Sequence, residues 1–467
     1  MIFRSYYLAC LSHASYLVAD EASGRAAVVD PQRDVAQYLE DAARLGVRVT
    51  DVVLTHFHAD FVSGHLELAE ATGAAIHVGA QARADYGFVP ARDGDVLELG
   101  PGTRLGFLET PGHTPESISV LVYDLAKSAT EPQGVLTGDT LFIGDVGRPD
   151  LMASVGVTAE ELGSLLYDSL HGKLLRLPDA TTVYPAHGAG SLCGKNLSSE
   201  LSSPLGVQRR TNYALQPMSK AEFVRVVTAD QPESPAYFAY AADANRRVRD
   251  TLGETLSRTL RPLSLDDVVA LAKSGAVLLD VRPPQAFGAA HLVGSVNIAL
   301  GGRYATWAGT LLDRTRPIVL IGDPGAQAEA ATRLARIGFD HVAGHLDDVM
   351  GALRARPDLL RRVRKVSPVD LLARLDAGTA PVVVDVRAAP ERDQGHVPGS
   401  VSVPLPQLLA HLDRIPRDRE VVVHCQSGYR SAIAASLLAR EGYANVADLV
   451  GGWVSFDAAR APAFPEP

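Results

Sequence analysis

Val52-Val53-Leu54-Thr55-His56-Phe57-His58-Ala59-Asp60-Phe61 is the stretch that decides the fold. Its first four residues are mostly apolar and β-branched, and they predict a buried strand. Two histidines and one carboxylate follow in the loop after that strand. Imidazole nitrogen and carboxylate oxygen are ligands of zinc and of ferrous iron. The stretch therefore predicts a metal site at the carboxyl end of a strand, a common place for sites in open α/β sheets.

The chain around this loop alternates short strand patterns with helical patterns. A helix is predicted over Val35–Leu45, closed by Gly46. After residue 195 the strand patterns stop, and helices are predicted over Lys220–Val227 and Asp243–Leu252 as an extension of the first domain. The other predicted elements are a helix over 66–71 and strands over 26–30, 49–55, 75–78, 96–99, 104–109, 117–123, 134–137 and 181–184.

Further candidate ligands follow later predicted strands. They lie in the motifs Thr110-Pro111-Gly112-His113-Thr114, Thr137-Gly138-Asp139-Thr140 and Tyr184-Pro185-Ala186-His187-Gly188. A lone histidine is more often a structural residue than a metal ligand, but several such motifs at strand ends indicate one shared site. The full set of candidates is His56, His58, Asp60, His113, Asp139 and His187.

In their order along the chain, these motifs resemble those of the metallo-β-lactamase superfamily, whose metal signature is His-x-His-x-Asp-His. The sixth position departs from that signature. Two-metal hydrolases of the superfamily use a histidine there for the second metal, whereas this chain has Phe61, whose ring cannot ligate a cation. A single-metal enzyme is therefore favoured over a two-metal hydrolase. The resemblance implies a four-layer αββα sandwich for the first domain, residues 1–255.

Within that superfamily, the chain looks most like the persulfide dioxygenases, also called sulfur dioxygenases. The resemblance implies one ferrous ion, Fe(II), per chain, held by His56, His113 and Asp139. Such a triad leaves about three open positions on an octahedral iron, enough for a substrate sulfur and O₂. Zinc is the less favoured metal. The remaining candidates would then orient the ligands or move protons, and they are His58, Asp60 and His187.

Two residues near the last motifs are candidates for contact with the substrate. Arg148, in Gly147-Arg148-Pro149-Asp150, resembles a segment near the thiol substrate in the same family. Its guanidinium can bind a carboxylate in a bidentate fork, and a salt bridge to Asp150 is the alternative. The residues after His187 lack the tyrosine common in glutathione-dependent members, which disfavours glutathione as the carrier thiol. Cys193 either lies beside the pocket, open to persulfidation, or is a small buried thiol.

The second half of the chain contains an internal repeat of roughly 100 residues, the usual size of one domain. Leu278-Leu279-Asp280-Val281-Arg282 matches Val383-Val384-Asp385-Val386-Arg387. We assign one copy to residues 256–360 and the other to residues 361–467. The arginine-rich segment Arg354–Lys365 joins them and is expected to be a solvated charge run.

The second copy carries a reactive loop, His424-Cys425-Gln426-Ser427-Gly428-Tyr429-Arg430-Ser431, between a predicted strand and a predicted helix. It resembles the rhodanese active loop, Cys-x₄-Arg, so both copies are expected to be α/β domains with a parallel sheet flanked by helices. Backbone N–H groups at the helix N-terminus would stabilise a thiolate or persulfide on Cys425. Arg430 would add positive charge, and the loop between them consists of Gln426, Ser427, Gly428 and Tyr429.

The first copy lacks both reactive groups. Aligning Gly325 with Gly428 places Gly322 opposite Cys425 and Gln327 opposite Arg430. Without a thiol, this copy cannot carry a persulfide by the same route. We interpret it as an inactive rhodanese-like domain with a spacer, docking or oligomer-forming role.

Composition narrows the class of partner. The 467 residues carry 44 Lys and Arg against 54 Asp and Glu, a net charge of −10 without a basic block, which argues against nucleic acid and anionic membranes. No apolar run of about 18 residues and no signal-peptide pattern occurs. Cys10, Cys193 and Cys425 are far apart in sequence, unlike a disulfide framework, so a reducing cytoplasm is expected.

The order of domains resembles the bacterial persulfide dioxygenase–sulfurtransferase fusions of sulfide detoxification. That resemblance implies oxidation of a low-molecular-weight thiol persulfide with O₂ to sulfite, and sulfur transfer through Cys425 that yields thiosulfate. A homo-oligomer, dimer or tetramer, is expected. A zinc-dependent thioester hydrolase of the glyoxalase II type, or a sulfur carrier or persulfide sensor with a structural metal, is the alternative. The carrier thiol and the direction of sulfur flow stay open.

Overall fold

The computed structural model describes residues 1–151, 156–231 and 234–460. The chain divides into two compact units, of which the first holds residues 1–255 and 334–338 and the second holds residues 256–333 and the chain from residue 339 on. Because both repeat copies fall in one unit, the division into three domains stays a prediction. Among the described residues, no helix is both long and apolar enough to span a lipid bilayer.

Two mixed β-sheets form the centre of the first unit. The strands of the first sheet are β1 (Ile2–Leu8), β2 (His13–Ala19), β3 (Arg25–Val29), β4 (Arg48–Val53), β5 (Ala75–Gly79) and β6 (Val89–Ala91), in the spatial order β1-β2-β3-β4-β5-β6. Those of the second sheet are β7 (Val96–Gly100), β8 (Thr103–Glu109), β9 (Ile118–Asp124), β10 (Gly134–Gly138), β11 (Thr182–Pro185) and β12 (Ser203–Pro204), in the order β12-β11-β10-β9-β8-β7.

Side chains alternate across these strands, and this alternation builds the layers. In β2, Tyr16 and Val18 pack with residues of the second sheet such as Phe107, whereas Leu17 packs with Tyr38 on the outer face. The helices of this part of the chain are α1 (Ala36–Leu45), α2 (His65–Thr72), α3 (Ala159–Gly172), α4 (Leu205–Thr211), α5 (Lys220–Thr228), α6 (Tyr237–Ala244) and α7 (Leu252–Thr259). Apolar residues of α1 and α2 cover the first sheet and those of α3 and α5 the second, so the predicted αββα sandwich is confirmed.

The predicted helices are confirmed with one exception. Helix α1 ends at Gly46, which has the left-handed φ of 69° expected of a helix-closing glycine. The helix predicted over Asp243–Leu252 is wrong, because α6 ends at Ala244 and α7 begins at Leu252. The intervening polar side chains bind the metal loop instead, and these tertiary contacts outweigh helix propensity.

The second unit contains two similar α/β copies. The first has α8 (Leu265–Lys273), β13 (Val277–Asp280), α9 (Pro284–Ala289), β14 (His291–Leu292), β15 (Val296–Asn297), α10 (Tyr304–Leu311), β16 (Ile318–Ile321), α11 (Ala326–Ala335), β17 (Val342–Leu346) and α12 (Val349–Ala355). The second copy has β18 (Leu360–Arg361) and β19 (Arg364–Val366) before it, then α13 (Pro368–Asp376), β20 (Val382–Asp385), α14 (Ala389–Asp393), β21 (Val401–Ser402), a 3₁₀ segment (Leu405–Arg414), β22 (Val421–His424), α15 (Tyr429–Arg440), β23 (Val446–Leu449) and α16 (Gly452–Arg460).

Each copy is built on a parallel sheet, as the repeat predicts. The spatial orders are β15-β13-β16-β17 and β19-β23-β22-β20-β21. The arginine-rich segment between the copies keeps its arginine side chains largely exposed, as expected of a solvated charge run, and its backbone is paired as well. Its strand β18 pairs with β14 of the first copy, and β19 pairs with β23 of the second. Backbone hydrogen bonds therefore tie this segment to both copies while its arginine side chains stay largely exposed.

Candidate metal centre and sulfur-transfer loop

The predicted metal residues converge at one edge of the sandwich. His56 follows β4, His113 follows β8 and Asp139 directly follows β10. His56 Nε2 lies 3.8 Å and His113 Nε2 lies 3.4 Å from Asp139 Oδ2. All three residues are buried, and one potential ligand atom from each lies within 4.8 Å of the others. The structure thus brings together the three side chains that the sequence analysis selected as ligands.

Hydrogen bonds set both histidines in the tautomer that a metal needs. His113 Nδ1 lies 2.9 Å from the backbone oxygen of Arg148, which can only accept, so Nδ1 carries the proton. Thr55 Oγ1 donates to Asp30 Oδ2 and therefore accepts from His56 Nδ1 at 3.0 Å. In each ring the lone pair of Nε2 is left facing Asp139. Such partners orient ligating histidines and raise their basicity.

The buried carboxylates also favour a cation. Burial raises the pKa of Asp139 to about 6, and the nearby Asp60 adds to the rise. Burial raises the pKa of Asp60 to about 6 as well. Both oxygens of Asp139 are buried without a hydrogen-bond partner from the protein. A divalent cation would satisfy these oxygens and restore the charged carboxylates, so the residues present fit a bound metal.

A second group of possible ligands, His58, Asp60 and His187, lies next to the first. His187 Nδ1 donates to the backbone oxygen of Ser12 at 3.2 Å, which leaves Nε2 facing Asp60 and Asp139, each at 3.5 Å. His58 is engaged differently, because its Nε2 lies 3.0 Å from Asp30 Oδ1. Burial acts to lower the pKa of His58, but the carboxylates of Asp30, Asp60 and Asp139 together outweigh it, and the pKa is raised.

Phe61 occupies the place beside this second group. Its ring lies 4.4 Å from the ring of His58 and 4.0 Å from that of His13. Phe61 is fully buried and contributes no ligand atom. His13 was missed by the sequence analysis because it follows no predicted strand and belongs to no motif, yet it is buried with its Nε2 unpartnered.

Two other residues that shape the metal loop were also missed. Asp30 has a positive φ of 50° and accepts from the backbone N–H and the hydroxyl of Thr55, each at 2.8 Å. Its position at the end of the predicted strand 26–30 was the feature of the sequence that could have identified Asp30. Asn245, fully buried just after α6, donates from Nδ2 to the backbone oxygens of His58 at 2.9 Å and Phe61 at 2.8 Å. No local pattern marks Asn245, because its partners lie more than 180 residues away.

A cavity of about 310 Å³ reaches the metal centre at His113. His113, Thr114 and Asp150 form part of its wall. The remaining wall is largely apolar and includes Phe57, Phe238 and Ala242. The helical extension therefore contributes to the site through α6, which carries the last two of these residues.

The two predicted substrate residues, Arg148 and Cys193, lie next to the metal cluster, and neither is among the described residues that line the cavity. The guanidinium of Arg148 donates to both oxygens of Asp150, each at 2.7 Å, and to the backbone oxygen of Leu192 at 3.1 Å. The salt-bridge alternative is the arrangement present. Cys193 is buried, and its thiol lies within 4.8 Å of ligand atoms of Asp139 and His187. Burial raises the pKa of Cys193 above its ordinary value.

The sulfur-transfer loop lies in the second unit, between β22 and α15. Cys425 is buried, and its Sγ accepts from the backbone N–H of Gly428 at 3.2 Å. Gly428 has a φ of 113°, a conformation that favours glycine, and it turns its N–H towards the sulfur. Ser431 Oγ lies 3.7 Å from the same sulfur. The loop therefore offers polar hydrogens to an anion on Cys425 at the positive end of a helix.

The arginines around this loop are paired. Arg430 donates to both carboxylate oxygens of Glu391, each at 2.6 Å. Arg387 donates to Asp385 and, at 3.2 Å, to Oε1 of Gln426 within the loop. The positive charge that Arg430 was expected to add to the loop is therefore balanced by Glu391 on the neighbouring α14.

Metal-binding proteins of the αββα class carry their ligands at this edge of the sandwich, and a Cys-centred loop on a parallel sheet defines the rhodanese class. Residues 8–187 match the metallo-β-lactamase superfamily. Residues 264–349 and 367–459 each match the rhodanese-like domain. The chain belongs to the metallo-β-lactamase superfamily and carries two C-terminal rhodanese-like domains, with persulfide dioxygenases among its homologues.

The similar proteins include hydroxyacylglutathione hydrolases and persulfide dioxygenases. A hydroxyacylglutathione hydrolase of Polaromonas sp. strain JS666 is 33% identical over 178 residues, 37% of this chain and 61% of the hydrolase. The mitochondrial persulfide dioxygenase ETHE1 of Bos taurus is 29% identical over 237 residues, 50% of this chain and 83% of that protein. A solved metallo-β-lactamase structure from Staphylococcus aureus subsp. aureus COL is 32% identical, with a TM-score of 0.68, and covers 74% of this chain and 98% of its own.

Proposed function

We propose that this protein is a mononuclear iron persulfide dioxygenase with a second, sulfur-transferring site at Cys425. The first activity rests on the triad of His56, His113 and Asp139, whose Nε2 and carboxylate atoms converge while Phe61 occupies the position of a second-metal ligand. The homology to persulfide dioxygenases supports the same reaction. The rhodanese-like domains support a role in sulfur metabolism.

The proposed oxidation converts a low-molecular-weight thiol persulfide, O₂ and water into the free thiol, sulfite and two protons. The S–S bond breaks, and the terminal sulfur loses four electrons, which reduce O₂. Two sulfite oxygens come from O₂ and the third comes from water. A ferrous ion held by the triad would activate O₂ towards that sulfur.

Residues of this chain orient the reaction and exclude water. Thr55 and the Arg148 backbone fix the rings of His56 and His113, and Asn245 holds the loop that carries His56. The largely apolar cavity receives the thiol part of the substrate, and burial keeps bulk water from the metal residues. His187, with its free Nε2 facing Asp60, is placed to accept a proton released in the reaction.

The second step takes place at Cys425. Its thiolate attacks the sulfane sulfur of a second persulfide molecule, releases the carrier thiol and becomes a Cys425 persulfide. Sulfite then attacks the terminal sulfur, forms thiosulfate and returns the Cys425 thiolate. The Gly428 N–H, which points at Sγ, stabilises the anion between these steps.

A two-metal thioester hydrolase is the second candidate. It is favoured by the adjacent group of His58, Asp60 and His187, and by the similarity to hydroxyacylglutathione hydrolases. Phe61 and the engagement of His58 Nε2 by Asp30 count against a second metal.

Metal analysis and oxygen uptake on anaerobically purified protein test the proposal. We expect one iron per chain and one O₂ consumed per persulfide, and His113→Ala should abolish both. His171→Ala is the control, because His171 stacks on Tyr167 away from the cluster and its loss should change neither. Two zinc ions per chain with thioester hydrolysis would overturn the proposal. Iron without O₂ uptake would instead indicate a sulfur carrier or sensor.

Cell fractionation and size-exclusion chromatography test two further parts of the proposal. We propose that the enzyme works in the cytoplasm as a homo-oligomer, either a dimer or a tetramer. A monomer at micromolar concentration, or recovery outside the cytoplasm, would contradict these parts and leave the proposed chemistry intact.

A further inference from the structure

The inactive rhodanese-like copy contacts the sulfur-transfer loop of the active copy directly. Tyr429, inside that loop, donates from its hydroxyl to the backbone oxygen of Ala299 at 2.8 Å. Its ring also lies against Gly302, where an added Cβ would come within 3.0 Å of Tyr429 Cε2. Both partners belong to the segment 298–303, which follows β15 of the inactive copy. Gly302, with a φ of 122°, lets this segment approach the ring closely.

The segment itself is held by the inactive copy. Arg333, on α11, donates to the backbone oxygens of Leu300 at 2.7 Å and Gly302 at 2.9 Å. The same guanidinium lies over the ring of Tyr304, 5.3 Å from its centroid. Arg333 is largely buried, so a charged group holds the residues that directly follow Ala299 in place. The backbone oxygen of Ala299, which accepts from the Tyr429 hydroxyl, is therefore held in place.

A second contact reaches the helix behind the loop. The backbone N–H of Asn297 donates to Ser436 Oγ at 3.0 Å, and Ser436 lies two turns along α15 from Tyr429. Asn297 also donates from Nδ2 to the backbone oxygens of Asp280 and Arg282, within the core of the inactive copy. Helix α15 is thus attached at two points along its length.

We propose that the inactive copy positions the sulfur-transfer loop through Tyr429, and that this is why a copy without a thiol is present in the chain. Tyr429 is the first residue of α15 and directly follows Gly428, whose N–H donates to Cys425 Sγ. Anchoring Tyr429 therefore holds that donor against the sulfur. Tyr429 acts as a positioning residue, and its role rests on the proposed sulfur transfer at Cys425.

The test is Tyr429→Phe in the full chain, which removes the hydroxyl and keeps the ring. We expect kcat for sulfur transfer from thiosulfate to cyanide to fall about 3–10-fold, the equivalent of one lost hydrogen bond, with KM within about twofold. The rate of Cys425 alkylation by iodoacetamide at one fixed pH, followed by peptide mass spectrometry, should change because the Gly428 N–H is no longer held against Sγ. This second readout needs no turnover, so it remains informative even if the protein transfers no sulfur and the proposed function fails.

Tyr443→Phe is the matched control. The hydroxyl of Tyr443 donates to the backbone oxygens of Leu412 and Ile415 within the active copy, away from the loop. Tyr443→Phe should lower the melting temperature about as much as Tyr429→Phe does, and it should leave kcat and the rate of Cys425 alkylation unchanged. Arg333→Gln should reproduce the Tyr429→Phe effects, and the double variant should be no worse than either single variant. Unchanged kinetics in Tyr429→Phe, equal effects in Tyr443→Phe, or additive effects in the double variant would overturn the proposal.

Discussion

The two rhodanese-like copies share a scaffold and differ in the charge around one loop. In each copy an Asp-x-Arg pair is buried at the end of a central strand, with Arg282 donating to Asp280 at 2.6 Å and Arg387 donating to Asp385 at 2.8 Å. The loops that follow the next strand also share a glycine with positive φ, at Gly325 and Gly428. Both copies therefore contain the residues that maintain the fold, whereas the residues that bind and transfer sulfur are present in the second copy alone.

The surroundings of the paired carboxylates show the difference. Arg392 and His424 approach Asp385 at 3.3 and 3.6 Å, whereas Phe287 and Ile321 stand at the matching positions of the first copy. Burial acts to raise the pKa of both carboxyls. It prevails for Asp280, but for Asp385 the hydrogen bonds from Arg387, together with the nearby His424, lower the pKa. The active copy thus keeps this carboxylate charged and pairs it with a second guanidinium, that of Arg392.

The largest expected effect is the loss of sulfur transfer in Cys425→Ser, by at least about 10³-fold, because the nucleophile is removed. Installing Gly322→Cys and Gln327→Arg in that background should restore nothing. A Cβ at Gly322 would lie 2.9 Å from Val281 Cγ2, and an arginine at 327 would meet Asp347, the present partner of Gln327. Sulfur transfer from thiosulfate to cyanide checks both variants.

The loop of the inactive copy gives a further reason for that expectation. Asp323 and Pro324 stand opposite Gln426 and Ser427, so the loop gains a carboxylate and loses a backbone N–H. Recovery of about a tenth of the wild-type rate would mean that two residues alone distinguish the copies. O₂ uptake should be unchanged in every one of these variants.

Breaking the shared Asp-x-Arg pair should have the next largest effect. Asp280→Asn and Asp385→Asn each leave a buried guanidinium without its carboxylate, at a cost of about 3–5 kcal/mol in the free energy of unfolding. Calorimetry of the full chain should show both variants unfolding at lower temperature. Asp385→Asn should also lose sulfur transfer in molecules that remain folded, since Arg387 reaches Gln426. If only one of the two variants unfolded at a lower temperature, the Asp-x-Arg pair would not stabilise the two copies equally.

A smaller effect is expected from Glu391→Gln, which releases Arg430. Ala286 stands at the matching position of the first copy, so this ion pair is specific to the active copy. With Glu391 neutralised, Arg430 can bind an anionic acceptor, and KM for sulfite should fall about 3–10-fold, as expected for one charge-assisted contact. Glu441→Gln, which alters a pair with Arg440 on the same domain, should leave KM unchanged. An unchanged or higher KM in Glu391→Gln would contradict the assignment.

The smallest effect concerns acid stability. Arg374 and Arg364 hold the pKa of Glu420 at about 2, whereas Pro317 stands at the matching position of the first copy. Because the folded pKa lies below the unfolded value of about 4.3, the stabilisation is complete above that pH and is lost as the pH falls towards 2. Glu420→Gln should cost about 1 kcal/mol at pH 7, after allowance for solvent screening.

The check is the melting temperature of the wild type and Glu420→Gln between pH 7 and pH 3. The difference between them should narrow below about pH 4.3, because Glu420 is then protonated in the unfolded wild type while it stays charged in the folded protein until the pH approaches 2, and this proton uptake favours unfolding. A constant difference over this range would mean that the ion pairs contribute nothing and the glutamate matters through packing alone.

Much of the site was predictable from sequence because its signals are local. A strand followed by His56 and His58, later strands followed by His113 and Asp139, and a Cys-x₄-Arg loop after a strand are patterns a few residues long. Each pattern indicates where a chemical group lies relative to the strand or helix beside it. β8 and β10 run in the same direction in the second sheet and so bring His113 and Asp139 to one edge, and the packing of the two sheets brings His56, after β4, beside them.

Other contributions depend on contacts between distant parts of the chain, and no local pattern carries them. Asn245 holds the metal loop across more than 180 residues, in a stretch predicted to be helix, and Tyr429 reaches Ala299 across 130 residues. A buried amide or hydroxyl must find a partner, and only packing decides which one is near.

The sequence by itself therefore determined the chemistry available to this protein, which is metal ligation by histidine and carboxylate in one domain and thiol chemistry in another. The tertiary structure decided how those groups are held. It set the ring tautomers of His56 and His113, paired Arg430 with Glu391 and brought the inactive copy to the sulfur-transfer loop. Residue types fix which reactions are available, whereas orientation and charge balance arise only when distant segments meet.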